Sequence, residues 1–229
     1  MNTIPLFILL LYALYEGALH AFEADHILAV TNIVSRRTKI VPALKDGLFW
    51  GLGHTSTIFL VGIIMILFKV NIPENSFSYF EAAVGLMLIL VSSWRLFVFF
   101  RDERQITFHA HNPEHAGENR QPHIHLHPDG KSFHGASYGI GLVHGLAGSG
   151  ALAVLVMTRI QAISDSLLYL VLFGVGSIVG MMLVAGVFSI PFSKKLINST
   201  WLRMGLALVS SVLCFAYGCY VIYDNLKSL

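Results

Sequence analysis

The sequence predicts an all-α, polytopic membrane protein with six transmembrane helices arranged as two inverted three-helix repeats. Three observations predict it. Of 229 residues, 55% are hydrophobic and only 12% are charged, half the roughly 25% charge of a soluble domain. Six apolar runs are long enough to cross the hydrocarbon core of a bilayer. A stretch of the first run recurs in the fourth with a shift of 124 residues. Composition excludes other classes as well. The net charge of +2 is too small and too localised for a phosphate-binding surface, so no nucleic-acid partner is expected. Two cysteines, Cys214 and Cys219, cannot make a disulfide framework.

The runs are Ile4 to about His20, Gly47–Phe68, Phe77–Phe100, Ala136–Val156, Leu167–Phe192 and Met204–Tyr223. The first resembles no cleaved signal peptide, because it lacks a basic start and carries Glu16. Its apolar character continues to Val34, and a single helix from Ile4 to Val34 would be about 46 Å long, too long for one untilted crossing. A break is therefore expected near Ala21–His26, where polar residues gather. Irregular backbone at that depth is tolerated only inside protein or beside a water-filled cavity.

Basic residues sort the loops. Arg36, Arg37, Lys39 and Lys45 follow the first run, Arg101, Arg104, Arg120 and Lys131 the third, and Lys194, Lys195 and Arg203 the fifth. The other side has only Lys69, Arg159 and Lys227. The positive-inside rule then places both termini outside and the long third loop in the cytoplasm, in a multi-pass protein of the cytoplasmic membrane.

The repeat pairs Gly17, His20, Leu28, Ala29 and Val30 with Gly141, His144, Leu152, Ala153 and Val154. Runs two and five share Leu48-Phe49 with Leu172-Phe173, and Gly51 and Gly53 with Gly174 and Gly176 after a one-residue gap. Runs three and six share Gly85, Leu86 and Leu88 with Gly205, Leu206 and Leu208, the weakest of the three matches. A unit of three spans is odd, so its copy enters the membrane in the opposite direction, as in many secondary transporters, where substrate sits at the repeat interface. The chain divides accordingly into residues 1–100 (first repeat, with the polar cluster), 101–135 (a flexible cytoplasmic loop) and 136–229 (second repeat).

Within the first run, Gly17 to His26 carries two imidazoles and two carboxylates: His20, Glu23, Asp25 and His26. One charge at the bilayer centre costs roughly 2.5–3.5 kcal/mol on insertion scales, so such a group needs a partner, and a divalent cation satisfies carboxylate and imidazole at once. On an ideal helix His26 lies about 120° and Asp25 about 140° from His20, on opposite sides. Local unwinding is required to turn all three toward one ion. The second run adds His54 and the fourth adds His144, while Ala147, Gly148, Ser149 and Gly150 stand where the first repeat has Glu23 to His26. One repeat thus carries most of an ion site, and the other offers small residues for close helix approach. Imidazole with carboxylate suits Ni(II), Co(II) or Zn(II); no Cys or Met cluster accompanies it, which disfavours Cu(I).

At these residues the sequence resembles the nickel/cobalt transporter superfamily. His20, four residues, then Asp25-His26 matches its His-x4-Asp-His signature; Leu52-Gly53-His54-Thr55 is similar to the Leu-Gly-His motif of the next helix; Gly141 to Ser149 resembles the Val-His-Gly-Leu-Ala-Gly-Ser stretch of its urease-accessory (UreH-type) branch. The resemblance covers nearly the whole chain. It implies movement of nickel or cobalt ions, as substrate rather than cofactor, across the cytoplasmic membrane, with His20, Asp25 and His26 handling the ion. The longer permeases of the superfamily have eight spans and an acidic motif in a later helix, whereas Gly174 to Gly180 here has no acid.

Seven of the eleven histidines, His109, His111, His115, His123, His125, His127 and His134, fall between runs three and four with Pro113, Pro122 and Pro128. This composition predicts a flexible loop able to capture transition metal, and a cytoplasmic metallochaperone is a candidate partner for it. The site expected from sequence is therefore a metal site of His20, Asp25, His26, His54, His144 and Glu23, in a secondary transporter of nickel, with cobalt the second candidate. Efflux rather than uptake, and a metal-binding sensor or accessory protein without transport, are the alternatives. No enzyme is expected: the His-Glu-x-x-His of a metalloprotease is absent, as is a nucleotide-binding loop.

Overall fold

The computed structural model describes residues 6–68, 74–103, 134–146, 162–193 and 199–227. Every regular element among them is helical: α1 (Leu6–His20), α2 (Ala24–Val34), α3 (Ile40–Phe68), α4 (Glu74–Glu103), α5 (His134–His144), α6 (Ile163–Ser189), a 3-10 turn at Ile190–Phe192, and α7 (Thr200–Lys227). Helices α3, α4, α6 and α7 are each long and apolar enough to cross a membrane, and α1 and α2 are so only as a pair, bent by 54° at their break. Large apolar side chains such as Phe7, Leu60, Phe68, Leu90 and Val187 face outward, where lipid rather than water is their natural contact.

Proline marks two helix ends. Pro42 sits in the first turn of α3, where its missing N–H breaks no helical bond, and Pro191 closes α6 in the 3-10 turn. The break expected near Ala21–His26 falls at Ala21–Glu23. The Phe22 amide donates to the Leu19 carbonyl (2.8 Å) and the Glu23 amide to the His20 carbonyl (3.1 Å), tightening the last turn of α1. Glu23 then adopts extended backbone, φ −64° and ψ 153°, and α2 restarts at Ala24. The fourth run differs from expectation. Its helix begins at His134 and stops at His144, with a turn at Gly145-Leu146, so a second helix end falls at a histidine. The rest of that run, with Ser149 and the other small residues, lies outside the described residues, as do His109 to His127.

The most extensive helix pairs are α3 with α6, α4 with α7, α1 with α6 and α3 with α5. Glycine makes the last two possible. A Cβ on Gly17 would run into the Phe173 carbonyl, and one on Gly176 into that of Leu14; a Cβ on Gly141 would meet the Trp50 carbonyl, and one on Gly53 that of Tyr138. The two sets exchange under fixed shifts, 124 from Leu14 to Tyr138 and Gly17 to Gly141, and 123 from Trp50 to Phe173 and Gly53 to Gly176. Backbone contact this close places two helices at the minimum separation that small residues permit. In the remaining pair, Gly85 packs on Gly218, whereas a Cβ on Gly205, its sequence-matched counterpart, would meet nothing. A polar tie joins α2 to α7: the Asn32 side chain donates to the Ser210 carbonyl (3.2 Å) and accepts from the Ser211 hydroxyl (2.8 Å).

This packing makes a direct prediction. Gly141→Ala, forcing a methyl against backbone, should destabilise the protein by about 1–3 kcal/mol. Gly139→Ala, on the same helix with open space around it, should be neutral or slightly stabilising. Thermal midpoints of the detergent-solubilised variants measure both, and equal midpoints would contradict the close α3–α5 approach.

Candidate metal centre

The cluster grows out of the two helix ends. His20 is the last residue of α1 and His144 the last of α5, so the negative ends of two helix dipoles lie at the same place, which favours a cation. Asp25 lies in the first turn of α2, the position a helix N-terminus favours for a carboxylate. The chain break between α1 and α2 solves the angular problem posed by an ideal helix: His20 and His26 come within 4.3 Å, ring centre to ring centre. His54 reaches in from the middle of α3.

Asp25 is the hub. One carboxylate oxygen lies 2.9 Å from Nδ1 of His26 and the other 2.9 Å from Nε2 of His144, and the His26 amide donates to Oδ1 as well. Glu23 accepts from Nδ1 of His20 (2.9 Å), and Nε2 of His20 stands 3.1 Å from Nε2 of His54. His26, His54 and His144 are completely buried and His20 nearly so.

Hydrogen bonding then assigns tautomers. A neutral imidazole carries one N–H and one bare lone pair, and a carboxylate only accepts. Asp25 therefore holds the N–H of His26 at Nδ1 and that of His144 at Nε2. The other nitrogens, Nε2 of His26 and Nδ1 of His144, have no hydrogen-bond partner, and neither has Nδ1 of His54. Buried polar atoms are almost always satisfied, so three unpartnered imidazole nitrogens in one cluster are lone pairs that a cation could accept. A carboxylate that orients an imidazole from behind is the usual support for such a ligand. Two donor triads fit an ion, their atoms mutually within 4.8 Å: His20, His26 and His54, and Asp25, His26 and His144.

Five of the six sequence-predicted site residues thus come together. Glu23 sits beside them, half-exposed (47%) and bonded to His20, and it belongs to neither triad. Trp50, which the motifs do not single out, packs its ring 5.4 Å from His26 and 5.5 Å from His144. A second polar cluster was also not apparent in the sequence. Asp46 is fully buried, paired through both oxygens with Arg37 (2.5 and 2.9 Å), 3.0 Å from Nδ1 of His134 and 3.4 Å from the Ser137 hydroxyl. His134, grouped with the loop from sequence, is instead the first residue of α5 and stacks on Phe49, 5.0 Å between ring centres.

Apolar helices of membrane length, an apolar helix pair bent at its break, and buried imidazoles around a carboxylate define a polytopic, helical, membrane-embedded protein with a polar centre inside its helix bundle. The chain belongs to the NicO family, described as high-affinity nickel-transport protein, which matches residues 6–221; this is a family of transport proteins rather than enzymes. It is 31% identical over 199 residues to the urease accessory protein UreH of Bacillus sp. (strain TB-90), covering 84% of this chain and 81% of that protein. It is 33% identical over 84 residues to the nickel transporter NixA of Staphylococcus aureus (strain NCTC 8325 / PS 47), covering 35% of this chain and 24% of that one. No solved structure matches.

Proposed function

We propose that this protein is a secondary transporter that moves nickel ions, with cobalt the second candidate, across the cytoplasmic membrane through a site built from His20, Asp25, His26, His54 and His144. The observation that carries the proposal is the set of orphaned nitrogens on His26, His54 and His144 around Asp25, in a chain of a nickel-transport family. Imidazole and carboxylate replace the hydration shell of a borderline-soft dication, and Asp25 supplies compensating charge where the bilayer supplies none. Glu23, half-exposed at the break, steadies His20 from the rim.

Six spans in two inverted repeats, with both termini outside, complete the proposal. The exchange of glycine contacts between α1–α6 and α5–α3 supports it: a pseudo-two-fold relation would bring α1 and α5 to the site from opposite faces, each ending on a histidine. Rocking of one repeat against the other would then open the centre to each side in turn. The His-rich loop would meet the ion on the cytoplasmic side, where a metallochaperone could exchange with it.

Purified protein in liposomes should carry nickel down a concentration gradient in the absence of nucleotide. Binding without flux would make it a sensor or accessory protein instead. Growth in toxic nickel decides direction: uptake makes cells carrying the protein more sensitive, and efflux makes them more resistant.

A further inference from the structure

The two donor triads share one residue. His20 and His54 lie toward the end of α1; Asp25 and His144 lie toward the end of α5; His26 belongs to both. Its ring is 4.3 Å from His20, 5.3 Å from His54 and 4.0 Å from His144, centre to centre. The rings of His54 and His144 are 6.1 Å apart. Of its two nitrogens, Nδ1 faces Asp25 at 2.9 Å, while Nε2 is buried with no partner.

Resting on the transport reading above, we propose that the centre holds one divalent transition-metal ion in two overlapping positions, occupied in turn, with His26 retained as a ligand in both. In the first position the ion is bound by imidazoles alone, from His20, His54 and His26. In the second it is bound by Asp25, His144 and His26, which requires the N–H groups now directed at Asp25 to shift to the opposite ring nitrogens or leave as the ion takes the carboxylate. Two ions side by side are disfavoured, because dications this close repel and His26 could serve both only as an imidazolate stripped of the proton that Nδ1 directs at Asp25. Transfer then exchanges two ligands while one stays, so the ion never has to be wholly released inside the membrane, where a bare charge is costly. Each position contains the terminal histidine of a different helix end, so a relative movement of α1 and α5 shifts the preference between them. The two positions also differ in charge. The carboxylate position is the stronger for a dication, and the all-imidazole position is the one from which the ion leaves more readily.

Co(II) is the probe, because its visible ligand-field bands report ligand number and type. Purified full-length protein with the loop residues His109, His111, His115, His123, His125 and His127 changed to Gln, so that only the centre reports, should bind one equivalent. His54→Gln should leave a Co(II) spectrum of mixed carboxylate and imidazole character, and His144→Gln one of imidazole character. Each variant should lose about 10-fold to 100-fold in affinity and most of its nickel flux in liposomes. His26→Gln should abolish both spectra. Identical spectra in the His54 and His144 variants, or complete loss of binding in either despite an unchanged thermal midpoint, would mean a single site and overturn the proposal. So would two equivalents bound to the protein whose loop histidines are changed and whose centre is intact. If that protein binds no Co(II) and carries no nickel, the transport reading itself fails, which is a distinct outcome.

Discussion

Asp25→Asn should lower nickel flux by about 100-fold or more while leaving the protein folded. The carboxylate makes hydrogen bonds to two buried imidazoles, one through each oxygen. The amide keeps one oxygen but turns an NH2 toward an imidazole N–H, so one donor loses its acceptor and a second donor is left facing it. Hydrogen bonds to charged groups contribute about 1.5–3 kcal/mol each, and the negative charge that offsets a dication is gone as well. A net loss of about 3 kcal/mol in ion stabilisation corresponds to roughly a hundredfold in affinity. Radioactive nickel uptake into liposomes, normalised to protein incorporated, measures it. Wild-type flux in this variant would remove Asp25 from the pathway. Glu23→Gln offers an internal contrast: its carboxylate is half-exposed and touches only the far nitrogen of His20, so flux should fall far less.

Asp46→Ala should produce the largest loss of stability. The Asp46 side chain is fully buried, whereas Arg37 is 23% exposed, so the cost lies toward the lower end of the about 3–5 kcal/mol expected when one partner of a buried ion pair is removed. Against a typical total of about 5–15 kcal/mol, that should lower both the thermal midpoint and the amount accumulated in membranes. The cause is separable from any effect on the His/Asp cluster. Combining Asp46→Leu with Arg37→Leu removes both charges together, and replacing a buried pair by apolar groups is often close to neutral, so the double variant should recover much of the lost midpoint. No recovery would show that the hydrogen bonds to His134 and Ser137, rather than the ion pair, hold this end of α3 and α5 together.

Much of this was legible in the sequence, for physical reasons. Apolar runs of membrane length need no tertiary information, and the excess length of Ile4–Val34 together with the angular spread of His20, Asp25 and His26 required a broken helix before any coordinates did. Four charged or titratable groups in seven positions at membrane depth similarly required each other. What the sequence withheld was partnership at a distance. Gly17 and Gly141 announce that something approaches closely, but not that the neighbours are the carbonyls of Phe173 and Trp50. The end of α5 at His144 has no breaker other than Gly145, one glycine among 20 in the chain. No motif marks Asp46, and only the fold brings Arg37 and His134 onto it. Glu23 belongs to the same sequence cluster, but its carboxylate is half-exposed and bonds His20, an outcome that depends on the extended backbone at the break.

Trp50 gives the centre an optical property of its own. Its indole lies against the rings of His26 and His144 with Nε1 unpartnered, while Trp94 and Trp201 are largely exposed at the bundle surface. If nickel or cobalt binds at either triad, the open-shell ion would lie within range to quench the Trp50 indole efficiently. Native fluorescence should then fall as the ion enters and recover as it leaves, with the change lost in Trp50→Phe, so loading could be followed in real time without attaching a dye.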